Sequence, residues 1–250
     1  DGRVMLLSME ARRDGPGRPF EEYYTQTPTH IWAYDIHRRV LEELATQNRM
    51  ASFYTPQLLL REGRILVQVC RPGYAQIFNM RLDGTDAREF TASAEGVAYG
   101  FSLSPHGTRI AFHLASPKGY QIWTCDELGG NRVLVAAQPG HLYFAPAWSP
   151  DAQWLLYQDC HADTDPGHDG SDLRLSRPDS SEHRMLTEGQ AMWFAASYGY
   201  PGNRGCGSNV PIWTHDAQVI FPRRLPDSQP PWRWAAGRPD TDHFNRDYHP

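Results

Sequence analysis

Leu103-Ser104-Pro105-His106-Gly107-Thr108-Arg109-Ile110-Ala111-Phe112 returns as Trp148-Ser149-Pro150-Asp151-Ala152-Gln153-Trp154-Leu155-Leu156-Tyr157. Each copy is the end of one strand, a tight turn, and a second strand opening on an apolar run. Looser copies are Trp213-Thr214-His215-Asp216-Ala217-Gln218-Val219-Ile220-Phe221 and Leu60-Arg61-Glu62-Gly63-Arg64-Ile65-Leu66-Val67. The chain itself opens on Asp1-Gly2-Arg3-Val4-Met5-Leu6-Leu7. The Gly or Ala closing each turn stands at 2, 63, 107, 152 and 217, so the intervals are 61, 44, 45 and 65 residues.

A period of about 40–45 residues with four short strands per repeat is the sequence signature of propeller blades. The expected fold is all-β: a β-propeller of four-stranded antiparallel blades at about 1–48, 49–93, 94–137, 138–188 and an incomplete 189–250. Both ends cut through a repeat, so 1–250 reads as one partial propeller domain, four to five blades of about six to eight. Third strands align at 31–35, 77–81, 122–126 and 173–176. Alternating apolar and polar residues mark them as half-buried. Outer strands follow at 40–44, 88–91, 132–135 and 184–187. Leu41, Leu44 and Ala45 also have helical spacing, but the repeat alignment outweighs a helix over 38–48.

Hydrophobic residues are 40 % and charged residues 21 % of the chain, enough for a packed core. The net charge of −5, without a basic cluster, excludes nucleic acid as the expected partner. No apolar run approaches the roughly 18 residues that would span a membrane. The four cysteines, Cys70, Cys125, Cys160 and Cys206, lack C-x-x-C spacing and read as small buried thiols.

The surplus residues of the long intervals fall at 10–29, 159–170, 188–209 and 225–250. Second-to-third and outer-to-inner connections leave an up-and-down blade on one face, so the long insertions are expected to share that face. Long loops on a rigid scaffold are where binding sites concentrate. Within 159–172 stand two histidines and five carboxylates. There Asp163, Asp165, His168 and Asp169 are candidate ligands for Mn, Ca or Zn, against a bland reading as turn-capping side chains. The spacing matches neither H-E-x-x-H nor an EF-hand loop. Gln190, Trp193, Tyr198 and Asn203 combine aromatic faces with polar groups, as a sugar site requires, and Arg204 adds a fixed charge. Aromatic packing of the channel is the competing reading. His141 leads into an inner strand near the channel mouth, where a histidine is either hydrogen-bonded structure or a ligand contact. His243 and His249 lie in a polar tail.

The S-P-D-G-like turn, the I-W-x-x-D strand (Ile122-Trp123-Thr124-Cys125-Asp126) and the Gly-rich turn Gly129-Gly130-Asn131 resemble the TolB-type, WD40-like (PD40) β-propeller repeat. The resemblance covers nearly the whole chain and implies a binding module with an oligosaccharide or protein partner. Arg61-Glu62-Gly63 and Thr214-His215-Asp216 depart from the pattern. A weaker resemblance to oligogalacturonate lyase propellers implies the alternative, metal-dependent β-elimination on a polysaccharide, with His161 as base and Arg204 as carboxylate clamp. That family's Q-x-x-H-x-H ligand run is absent from these residues. So is the G-x-S-x-G turn that a prolyl-oligopeptidase-like hydrolase needs.

Overall fold

The structure is a computed structural model that describes residues 4–10, 29–43, 52–59, 63–71, 74–161, 172–188, 211–224 and 232–237. The chain forms two compact units, Asp1–Tyr99 and Gly100–Pro250. In the first, β1 (Val4–Glu10), β2 (Thr29–Asp35) and β3 (Val40–Glu43) pair antiparallel in that order. A second sheet runs β4 (Ser52–Leu59), β5 (Arg64–Arg71), β6 (Tyr74–Arg81) and β7 (Arg88–Glu89). Ile31, Ile65, Val67, Val69 and Met80 form a buried core in this unit. Residues 36–39 turn and 40–43 are strand, so the repeat alignment prevails over helical spacing there. Among the described residues the helical structure is one 3-10 turn, Ser93–Glu95.

Two four-stranded blades follow, the first starting three residues before the second unit. One is β8 (Val97–Leu103), β9 (Arg109–Ser116), β10 (Gly119–Asp126) and β11 (Val133–Ala136). The other is β12 (His141–Trp148), β13 (Leu155–His161), β14 (Asp172–Ser176) and β15 (His183–Met185). A single parallel pair, Tyr120 with Leu142, joins them into one eight-stranded sheet. A third sheet pairs β16 (Ile212–Trp213), β17 (Val219–Arg224) and β18 (Trp232–Gly237). The packing of β13 explains why its sequence is apolar on consecutive positions. Leu155 and Tyr157 pack with Ala111, Ile122 and Val135 of the preceding blade, while Leu156 packs with Val219 and Phe221 of the following sheet. A strand covered on both faces loses the alternation of a half-exposed one. Each such side chain removed from water contributes about 1.5–3 kcal/mol.

The phrase builds the same turn at Ser104 and Ser149, and one that closes a residue earlier at Thr214. The Ser149 amide donates to Trp154 O at 2.9 Å and the Ala152 amide returns to Ser149 O at 2.9 Å. Ser149 Oγ accepts from the Trp154 amide at 2.9 Å and donates to Asp151 Oδ1 at 2.5 Å. The hydroxyl and carboxylate thus satisfy backbone that the ladder cannot reach. The closing residue is left-handed in every described copy, with φ of 60° at Gly63, 67° at Gly107, 58° at Ala152 and 61° at Ala217. A Cβ is strained in that region. Ala152→Gly is therefore expected to stabilise the protein by about 0.5–1 kcal/mol, a Tm rise of roughly 1–4 °C. An unchanged or lower Tm in a thermal melt rejects strain at that turn.

Two further devices follow the repeat. Inner strands carry a bulge: the register slips between Tyr54 and Gln57 and between Phe144 and Ala147, two repeats apart (144 − 54 = 90; 147 − 57 = 90). Gly100 and Ala145, one repeat apart (145 − 100 = 45), are left-handed at φ 57° and 50°. Second strands carry a fully buried polar residue at matching places, Gln68, His113 and Gln158, each 45 residues from the next (113 − 68; 158 − 113). Tryptophans tie successive inner strands. Trp148 Nε1 donates to Ser102 O at 3.2 Å, and Trp213 Nε1 to Ala147 O at 3.2 Å.

The structure differs from the sequence reading in two places. Trp232–Gly237 is a strand paired along its length with β17, so the surplus after Arg224 is not one uninterrupted insertion. Asp159, Cys160 and His161 belong to β13, because their backbone pairs with Tyr143, Leu142 and His141 of β12.

Candidate functional site

Antiparallel register fixes which residues share one edge of the second unit. His141 opens β12 and stands across from His161, which closes β13; Asp172 opens β14 and stands across from Asp159. The strands joined through 162–171 therefore meet at the edge where His141 lies. The tight turn 149–154 closes the opposite edge. β15 runs from His183, across from Ser176, to Met185, across from Arg174, so the chain leading to 189–210 departs from the His141 edge too.

Asp159 is the centre of this edge. It is fully buried, at 0 % exposure. Its Oδ1 lies 2.7 Å from His141 Nδ1, and its Oδ2 accepts from Arg174 Nε. Tyr143, directly across from Asp159, stacks on the His141 ring at 5.8 Å with an interplanar angle of 13°. Tyr143 also meets Tyr157 edge-on at 5.6 Å. A separate polar run leads toward the opposite edge, where His183 is exposed. Tyr157 Oη lies 2.7 Å from Ser176 Oγ, which lies 2.7 Å from His183 Nδ1.

The electrostatics follow from burial. Burial opposes the charge on Arg174, but the Asp159 carboxylate and its hydrogen bond outweigh it and hold the guanidinium above its ordinary value. Burial pushes the Tyr143 phenol up, and the neighbouring Asp159 adds to that. Tyr157 is raised by burial as well. Both phenols therefore stay protonated and act through ring faces and O–H groups. Carboxylate, imidazole and guanidinium are held together without net repulsion, beside an aromatic wall that fixes the imidazole plane. Such an arrangement orients a histidine for hydrogen bonding or proton transfer.

Of the residues singled out by sequence, His141 is the one whose side chain the structure describes. His161 is placed by backbone register across from it. Asp163, Asp165, His168, Asp169, Gln190, Trp193, Tyr198, Asn203 and Arg204 lie outside the described residues. Among the described residues no group of three or more His, Cys, Asp or Glu is placed to hold a metal ion. Cys125 is buried and its thiol is pushed up to about 12 by burial, which leaves it inert at neutral pH. Sequence reasoning missed Asp159 and Tyr143 as partners of His141, and Arg174 as the partner of Asp159. The signal was present: Tyr157, Asp159 and His161 alternate along one strand, and His141 and Tyr143 alternate along its neighbour.

No protein-family model matches the sequence, and no curated protein matches it. Solved structures do. TolB from Acinetobacter baumannii aligns at TM-score 0.57 and 12 % identity, over 85 % of this chain and 47 % of TolB. An oligogalacturonate lyase in complex with manganese aligns at TM-score 0.62 and 15 % identity, over 88 % of this chain and 58 % of the lyase. A chain of the nidogen/laminin complex aligns at TM-score 0.59 and 12 % identity, over 97 % of this chain and 76 % of that one. This chain thus spans about half the length of the TolB and lyase chains. At such identities the likeness shows the fold, and the fold is an all-β propeller shared with TolB. No helix among the described residues is long and apolar enough to cross a membrane.

Proposed function

We propose that the chain is a TolB-like propeller binding module that holds a carbohydrate or protein partner at the His141 edge of its second unit. The observation that carries this reading is the buried Asp159, bonded to His141 and Arg174 beside stacked Tyr143, at the edge from which the long segments 162–171 and 189–210 depart. A buried carboxylate with two charge-capable partners is costly to assemble, and breaking such a set by removing one partner costs about 3–5 kcal/mol. A site of this kind at a loop-bearing edge fits recognition better than scaffolding. The partner expected from sequence, and the ligand-binding roles of Gln190, Trp193, Tyr198 and Asn203, belong to this proposal. The test is a glycan array probed with wild type and His141→Ala. Binding to a defined subset of glycans that falls at least about tenfold in the variant supports the reading. Undiminished binding by the variant rejects this edge as the site.

A second reading is carbohydrate lyase chemistry, favoured by the His141–Asp159 pair with His161 across from it in register. Proton abstraction needs a histidine oriented by a second group; Asp159 orients His141, which stands in register across from the proposed base His161. Among the described residues no ligand set for a divalent metal is assembled. Asp163, Asp165, His168 and Asp169 remain the proposed ligands, with His161 and Arg204 in the proposed catalytic roles. The test is unsaturated-uronate absorbance with pectic oligosaccharides, together with metal content of the purified protein. Product formation abolished in His161→Ala supports it; no product with wild type rejects it.

A further inference from the structure

We propose that His183 is a pH-sensitive clasp: its neutral ring pins the end of the 177–182 turn and the outer strand β15 to their neighbours, and a second ring proton releases them. The device stands at the turn edge, opposite His141, and is independent of the preceding readings.

The contacts fix each proton along the clasp. β11 carries a bulge: Leu134 pairs with Trp123 and Ala136 with Ile122, which leaves Val135 between them out of the ladder. The carbonyl of Val135, a residue 2 % exposed, accepts instead from Ser180 Oγ at 3.2 Å. A hydroxyl has one proton, so Ser180 Oγ accepts from His183 Nε2, 3.2 Å away. The neutral ring is therefore the Nε2–H tautomer, with its lone pair on Nδ1. Nδ1 lies 2.7 Å from Ser176 Oγ and accepts that hydroxyl's proton. Ser176 Oγ, 2.7 Å from Tyr157 Oη, accepts the proton of the phenol. Burial pushes the Tyr157 phenol up, so it keeps that proton throughout.

A count of protons then makes the clasp sensitive to acid. Tyr157, Ser176 and Nδ1 share two contacts, and with a neutral ring two protons fill them, one each. A second ring proton sits on Nδ1 and gives three protons to the same two contacts. One hydroxyl hydrogen, on Ser176 or Tyr157, then has no acceptor among the described residues. Both residues are buried, at 0 % and 1 % exposure, where an unmet donor is costly. His183 is exposed, so the imidazolium relieves the conflict by turning into water. Thr124 Oγ1 and Arg109 still hold the start of the turn through Pro178 O, at 2.8 and 3.3 Å. What loosens is its second half, with the three residues of β15.

The charged groups around His183 are engaged elsewhere. On its own strand and turn, Glu182 accepts from Arg184 Nε at 2.8 Å and lies 3.5 Å from Arg177 Nε. Asp179 Oδ1 accepts from Ser181 Oγ at 2.6 Å. Arg184 and Ser181 hold these two carboxyls below the ordinary carboxylate range, so both stay ionised. On β14, Arg174 is held by Asp159. On the preceding blade, Arg109 reaches Pro178 O and Arg132 lies over Phe112 at 5.8 Å. The proton that changes the count is the one on His183.

Two measurements test the clasp. Long-range proton–nitrogen NMR of 15N-histidine-labelled protein in mildly alkaline buffer should show His183 as Nε2–H; Nδ1–H overturns the proposal. Native-state hydrogen exchange, corrected for intrinsic rates, reads the Arg177 and Leu186 amides, which donate to Glu182 O and Leu173 O. Opening at these amides should be at least about fivefold more populated at about pH 5 than at about pH 8 in wild type. Ser176→Ala removes the contested contact while keeping the histidine, so its opening should lose that excess pH dependence. His113 is present in both proteins and cancels in the comparison. His183→Gln, a change at an exposed position, should lose the excess as well and carries the test if Ser176→Ala does not fold. Equal pH dependence in wild type and either folded variant, or none in wild type, overturns the clasp.

Discussion

Gly100→Ala is expected to destabilise the protein by about 2–4 kcal/mol, a Tm loss of roughly 5–15 °C for a chain of this size. A Cβ built on Gly100 would lie 2.5 Å from His113 Nδ1 and 2.6 Å from Cε1. His113 is fully buried and set edge-on against Phe144 at 5.4 Å, so its ring has little room to retreat. The left-handed φ of 57° adds strain, but that strain is tolerable, since Ala145 occupies the matching position at φ 50°. The difference between the two blades is the residue on the second strand: His113 in one, Gln158 in the other. The double variant Gly100→Ala/His113→Gln recreates the combination of the next blade and should recover about 1–3 kcal/mol of the loss. Denaturant unfolding of the two single variants and the double gives the coupling energy. Additive effects would show that the His113 ring is not what excludes a methyl group at Gly100.

The same histidine should make stability depend on pH. Burial pushes His113 down to about 3 from an ordinary value of 6.5. The folded state therefore holds the ring neutral where the unfolded chain would bind a proton. Between about 3 and 6.5 the unfolded state carries the extra proton, so stability rises with pH across that window and is fully present above it. The slope from this one group is about 1.4 kcal/mol per pH unit, so acidification from about 6.5 to about 5 removes roughly 2 kcal/mol. His113→Gln places at 113 the residue found at 68 and 158, and should flatten that part of the curve. Exposed carboxylates held low by hydrogen bonds, such as Asp179 with Ser181 and Glu182 with Arg184, titrate in both proteins and cancel in the difference. Unfolding midpoints measured over this range for wild type and variant decide it; parallel curves would remove His113 as the origin.

Most of the fold was legible because the repeat is local. Ser104, Ser149 and Thr214 each close a turn through their own hydroxyl or neighbouring backbone, and such short-range chemistry leaves its mark at a fixed spacing. Third strands were visible by alternation, as at 122–126 within the observed Gly119–Asp126. Trp232–Gly237 was not, because its two tryptophans sit between the Pro230-Pro231 pair and a polar tail, and the composition of the surroundings masked the strand. The candidate site was half legible. His141 could be named from its place before an inner strand, whereas Asp159 was read as the first residue of an acidic loop. Asp159 takes its place because β13 runs through it and sets it across from Tyr143. That is a property of pairing between strands, and charge density along the chain does not report it. Arg174 was hidden for the same reason, lying one strand further on, across from Tyr157.

The tryptophan ties have a consequence for how such a chain can lengthen. Trp148 reaches back to Ser102 O and Trp213 to Ala147 O, so β12 carries both a donor for its predecessor and an acceptor for its successor. One residue inserted into that strand before Ala147 would shift donor and acceptor together against β13 and break contacts on both sides. Insertion after a second or an outer strand disturbs neither. The tying tryptophans Trp148 and Trp213 stand 65 residues apart (213 − 148), against a basic interval of 45 between Ser102 and Ala147 (147 − 102), and the excess is absorbed outside the tied strands. The ties act as a reading frame for duplication: whole units can be gained or lost in register, and novelty is steered into the connections beside His141.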